Sequence, residues 1–200
     1  MAASELHADR PRGNPAIAGE RLTRSAEVFI RQSWRSQYCG VYATAMLLSL
    51  LGRTTHRHQA KALFLSNRLA TAYEGAYLDD ISHVLDRSGV IRCVEWLYFD
   101  GLRLERLAKR IHGHGRSLMM PSIISFGIIH PVLRVQARHA AVVLWVSNER
   151  IELLDSLAPP PAGSSAANTV LTAPHQVIGA GYHINARATV ALLRWLPRGG

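Results

Sequence analysis

An α+β fold, with helices ahead of an antiparallel sheet, is predicted by three features of this sequence. A long apolar run of helical character begins at Cys39, further segments of helical spacing follow it, and the second half turns to short runs rich in β-branched residues between turn-forming ones. Two hundred residues with 48% hydrophobic and 18% charged content suffice for one domain with its own core.

Taken in order, residues 1–25 are rich in Arg, Gly, Pro and Ala and lack a hydrophobic period, so a disordered basic tail is expected, with the domain over 26–200. The run CGVYATAMLLSLLG from Cys39 to Gly52 carries no formal charge and is apolar nearly all round. That pattern predicts a helix buried on most faces, with Gly52 as its stop. A second helix is expected over about 57–72, and AYLDDISHVLDRSG sets Leu78, Ile81, Val84 and Leu85 on one helical face before Gly89. VIRCVEWLYF, residues 90–99, reads as a strand that contains Cys93. LRLERLAKRIHG, 102–113, has Leu104, Leu107 and Ile111 at helical spacing and ends on a glycine. Strands are then expected at 122–129, 139–146 and 150–157, a surface loop at APPPAGSSAANT, and two more elements in HQVIGAGYHI and ATVALLRWL.

Composition narrows the functional classes. Two cysteines, Cys39 and Cys93, give no disulfide framework. The pairs His56/His58 and His112/His114 lack a third ligand at usable spacing, so no metal or other cofactor is expected. No apolar stretch reaches the roughly 18 uncharged residues of a membrane span, and the N-terminus has no apolar core of a secretory signal, which makes a cytoplasmic location the expectation. The net charge of +9 is nearly all arginine, since Lys61 and Lys109 are the only lysines. Those arginines are scattered, without a basic block or interleaved aromatics, so nucleic acid is not the expected partner.

The chemistry converges on Cys39. At a helix N-terminus, unpaired backbone N–H groups and the positive end of the macrodipole favour a thiolate. A nucleophilic sulfur needs a base that can later return a proton, and His139 opens the strand HAAVVLWV. The next strand, RIELLDSL, closes near Asp155. A hairpin turning near Ser147 and Asn148 and centred on 147 would make 139 and 155 direct cross-strand partners, placing a carboxylate where it can hold the imidazole in one tautomer. For the oxyanion, the Cys39 N–H can be joined by a side-chain amide from Gln32 or Gln37. Gln32 is preferred, because Gln37 lies two residues before the thiol and has little room to bend back. Trp34 fits either the cleft wall or the core.

A Gln, then Cys-Gly opening an apolar helix that ends in Leu-Gly, a helix-rich middle, His-Ala-x-Val-Val, and an Asp sixteen residues after the His together resemble the papain-like cysteine peptidases. The likeness is to the C39-type group and its stand-alone C39-like relatives, and it spans about residues 30–157. It implies a two-lobed papain-like fold with Cys39 as nucleophile, His139 as base, Asp155 as orienting residue and Gln32 in the oxyanion hole, acting on a peptide or protein substrate. Two positions depart from that pattern: Tyr38 stands where the family has Asp, and Gln32 lies one residue further from the cysteine than is usual. The expected function is hydrolysis of a peptide or isopeptide bond. The alternatives are acyl transfer or deamidation by the same three residues, as in an effector or toxin, and a catalytically silent peptide-binding module.

Overall fold

The computed structural model of the chain describes residues 26–52, 70–71, 75–88, 94–113, 121–130, 134–163, 165–173 and 176–195. The expected tail, Cys93, His56, His58, His114 and most of the expected 57–72 helix lie outside the described residues. The described end of that segment corrects the expectation: Ala70–Thr71 is a strand, β1, paired antiparallel with β2, Gly75–Ala76. A β-branched threonine and a glycine within a few residues both disfavour a continuing helix.

Helix α1 spans Cys39–Leu50, and every residue from Gly40 to Leu48 is buried. Its apolar character all round therefore has a packing reason: neighbours close on it from several sides. The helix ends where Leu51 donates back to the Leu47 and Leu48 carbonyls and Gly52 takes a φ of +90°, a conformation that favours glycine. Helix α2, Leu78–Arg87, is two-faced, burying Ile81, Val84 and Leu85. Asp80 accepts the backbone N–H of Tyr77 at 3.0 Å, and Asp79 and Asp80 in the first turn with Arg87 in the last both suit the helix dipole. Helix α3, Leu104–Gly113, buries Leu104, Leu107 and Ala108.

The remaining strands are β3 (Val94–Phe99), β4 (Ser122–Ile129), β5 (Gln136–Val146), β6 (Arg150–Leu154), β7 (Thr169–Thr172), β8 (Gln176–Ile178), β9 (His183–Ile184) and β10 (Val190–Trp195). They form one antiparallel sheet in the order β3-β10-β4-β5-β6-β7-β8, with β9 also paired to β4. Strand β7 was not expected from the sequence, and HQVIGAGYHI divides into two short strands; segments of two to four residues are too brief for an alternation to register.

The sheet is the middle layer. On one face Ile123, Ala140, Val142, Leu154 and Leu193 pack with α1 and α2; on the other Ile124, Phe126, Val143, Leu153 and Leu192 pack with Leu104 and Leu107 of α3. The central strands β4, β5, β6 and β10 feed both clusters by alternation, which is why they read as near-continuous apolar runs. Among the described residues no helix is long and apolar enough to cross a membrane.

The β5–β6 hairpin departs from the expected register. Val146 pairs with Ile151 and Trp145 with Glu152, whereas Val143 pairs with Leu153 and Val142 with Leu154, so Leu144 is the extra residue of a β-bulge. His139 and Asp155 are thus not direct partners: continuing the pairing past Leu154 sets Asp155 across from Ala141, diagonal to His139 on the same face. The pairing of β6 also starts only at Val142, while β4 accompanies β5 from Gln136 to Val143. Beside Arg138, His139 and Ala140 one edge of β5 carries no strand among the described residues.

Candidate active site

Cys39 is the first residue of α1, and it reaches that open edge of β5. Its Sγ lies 3.9 Å from the Arg138 carbonyl oxygen, and the Ala140 and Gly40 N–H groups beside it favour the thiolate. Arg138 O and Ala140 N are successive groups on the same edge of a strand, so the sulfur stands where a longer β6 would have paired. Tyr38, the residue before the helix, makes no side-chain cap, and the first turn holds no acidic residue. Nothing in that turn offsets the positive helix end. Gly40 lets the helix start this close: a Cβ there would lie 3.1 Å from Ile81 Cδ1 and 3.4 Å from Ala76 Cβ.

His139 is 1% exposed and Asp155 0% exposed. The imidazole packs edge-on against Phe126, its cross-strand partner, with ring centroids 5.6 Å apart, and beside Tyr182 at 5.3 Å. Its Nε2–H donates to Asp155 Oδ1 at 2.8 Å, which leaves Nδ1 for the sulfur, the other partner of His139. Asp155 is held on every side. Oδ1 also accepts the Leu157 N–H at 2.8 Å, and Oδ2 accepts the Tyr182 hydroxyl at 2.5 Å. Asn168 clamps the backbone of Asp155, accepting its N–H at 2.7 Å and donating to its carbonyl at 2.8 Å.

Gln32 is buried beside this group. Its backbone N–H donates to the Ser156 carbonyl at 2.7 Å, its Oε1 accepts the Ser156 hydroxyl at 2.9 Å, and its Nε2 donates to the Ser36 carbonyl. Gln37 is exposed. Both amides line one cleft of about 700 Å³, together with Cys39, Gly40, His139 and Trp34. The four residues singled out from the sequence therefore meet in one place, three on the cleft wall and Asp155 behind His139. Trp34 is a wall residue whose ring stands edge-on to His130 at 5.4 Å and Tyr182 at 6.4 Å. Sequence reasoning missed Tyr182, Asn168 and Ser156, each of which acts through a partner distant in the chain; no local spacing announces them.

The charges follow from this packing. Burial pushes the Cys39 thiol up, but the hydrogen bond and positive charge of His139 and the two backbone N–H groups outweigh it and hold the thiol below its ordinary range. Burial alone would lower His139; the charge and hydrogen bond of Asp155, with Cys39, raise it to about 10. For Asp155 burial again works against the charged form, and His139, the Tyr182 hydroxyl and the Leu157 N–H prevail and keep the carboxyl low. Burial, then the Asp155 charge, raise Tyr182 well above the usual phenol value, so its hydroxyl stays a donor. All three shifts run toward the charged forms: a thiolate, an imidazolium and a carboxylate. Among the described residues no three His, Cys, Asp or Glu side chains cluster as metal ligands.

No family model matches the sequence, and no curated protein matches it. Among solved structures, a Bacillus anthracis chain provisionally described as a C39-like peptidase is similar at 13% identity with a TM-score of 0.44, over 88% of this chain and 97% of that one. The chemistry of the cleft rests on its own geometry.

Proposed function

We propose that residues 26–200 form a papain-like cysteine peptidase domain, of the C39-like kind, that hydrolyses a peptide or isopeptide bond through an acyl-enzyme on Cys39. The observation that carries this reading is the Nε2 bond from His139 to the buried Asp155, which leaves Nδ1 as the ring nitrogen available to the Cys39 sulfur. In the proposed cycle the thiolate attacks the substrate carbonyl carbon, and the oxyanion receives the Cys39 N–H and an amide hydrogen of Gln32. The imidazolium of His139 gives its proton to the leaving amine as the C–N bond breaks, and Cys39 is left as a thioester. Neutral His139 then takes a proton from water, whose oxygen attacks the thioester, and the acid leaves with the thiolate restored. Asp155 stays ionised throughout and keeps the ring in orientation.

An electrophilic thiol probe tests the first step and a peptide library the rest. Cys39 should label far faster than Cys93, His139→Ala should slow that labelling and lower turnover by about 10²–10⁴-fold, and Cys39→Ala should cleave nothing. Equal, slow labelling of both thiols sinks the proposal. Release of ammonia, or capture of the acyl group by an added amine without peptide cleavage, would assign the same acyl-enzyme to deamidation or transfer.

A further inference from the structure

Outside the Cys39–His139 pair, the charged side chains on the cleft wall are of one sign. Of its lining residues Arg35 and Arg138 are cationic and exposed, and among the described residues none is Asp or Glu. Arg138 rests its guanidinium on Ser125, donating to the Ser125 Oγ and carbonyl at 3.2–3.3 Å. Among the described residues neither arginine forms an ion pair with a carboxylate. The cleft also gathers exposed apolar side chains: Tyr77 and Tyr98, each 63% exposed, and Val135, 52% exposed, all line it. Contiguous exposed apolar surface of this kind marks a binding site more often than a bare surface.

Register explains how the two chemistries sit together. Tyr98 pairs with Ala191, Ala191 with Ser125, and Ser125 with Ala140, so these four side chains form one row across β3, β10, β4 and β5 on the α1 face. Ala191 and Ser125 in the middle of the row are buried, and the exposed side chains a ligand meets are those of Arg138 and Tyr98. The Tyr98 ring bounds one end, and the Arg138 guanidinium lies over Ser125, two strand spacings or about 10 Å from β3. Ala140, at the other end, is the residue whose N–H meets the Cys39 sulfur. An extended chain crossing this row would bring a side chain to Arg138 next to the reacting carbonyl and another to Tyr98 two or three residues further on.

We propose that the cleft selects an extended peptide with a carboxylate side chain within two residues of the scissile bond and a bulky apolar side chain two or three residues beyond it. This rests on the peptidase reading and names its substrate class. Arg138 and Arg35 supply the charge complement, and Tyr98 and Tyr77 the apolar seat.

The test measures kcat/KM of the full chain on matched fluorogenic peptides with Glu, Gln or Lys beside the cleaved bond, and Leu or Ser at the outer position. Glu should exceed Lys by about tenfold at low salt, with the gap narrowing as salt is added, and Leu should exceed Ser. Arg138→Glu should reverse the Glu-over-Lys order, and Arg35→Glu, on an exposed side chain, should move it in the same direction if the first variant does not fold. Tyr98→Ser should raise KM on the Leu peptides. Equal rates for Glu, Gln and Lys peptides overturn the inference while leaving the peptidase reading intact. Failure to cut any peptide, with unreactive Cys39, overturns both. If a single-stranded oligonucleotide protects Cys39 from labelling where the Glu peptide does not, the arginines serve nucleic acid and the inference falls.

Discussion

Both carboxylate oxygens of Asp155 are engaged inside the protein, by His139, Leu157 and Tyr182, and the consequence is a histidine that keeps its proton to about pH 10. The sign of the pH dependence follows. Because the Cys39 thiol is lowered, probe labelling should persist to lower pH than for an ordinary cysteine and fall as pH drops through that lowered value. Because His139 is raised, peptide hydrolysis should decline above about pH 10, where the proton for the leaving amine is gone, while thiol labelling continues. Stopped-flow labelling and turnover measured across pH separate the two limbs. Tyr182→Phe keeps the ring that packs on His139 and removes only the donor to Asp155 Oδ2. It should cost about 1–3 kcal/mol in denaturant unfolding by leaving a buried carboxylate oxygen unsatisfied, and it should lower kcat with KM held.

At the scale of elements, a turn and a bulge jointly set where Asp155 meets His139, the proposed base. The turn between Val146 and Ile151 is wider than a hairpin centred on Ser147 would make it, and Leu144 then slips the pairing back by one. The net offset from direct pairing is two residues, an even number, so His139 and Asp155 remain on one face. That explains which part of the site could be read in the sequence: the parity of the two positions survives, while the register itself depends on a bulge that no pattern of side chains announces. The start of α1 makes a sharper demand. Gly40→Val would drive branched methyls into Ile81 and Ala76, which already stand 3.1 and 3.4 Å from a Cβ position. The expected loss is about 1–3 kcal/mol, with slower labelling of Cys39 as the helix end shifts, read by thermal unfolding and probe kinetics on one sample.

For the whole molecule, the sequence made the central elements plain and left the margins obscure. The boundaries of β4 match the expected 122–129, and α1 ends within two residues of Gly52, since both are long apolar segments bounded by turn formers. The side of the sheet on which α3 packs, and the existence of β7, depend on tertiary partners rather than on local pattern. Gln32, Cys39, His139 and Asp155 could be picked out because their chemical types are few and their positions flank elements; Tyr182 and Asn168 could not, because tyrosines and asparagines at turns are ordinary until their partners are known. The proposed nucleophile belongs to the helical layer, its imidazole partner to the sheet, and the carboxylate to the residue just past the end of β6. Neither layer holds an activated sulfur by itself. Reactivity at Cys39 is therefore a gauge of docking between layers, and a chain whose helices and sheet had formed but not yet closed on one another would carry only a dull thiol.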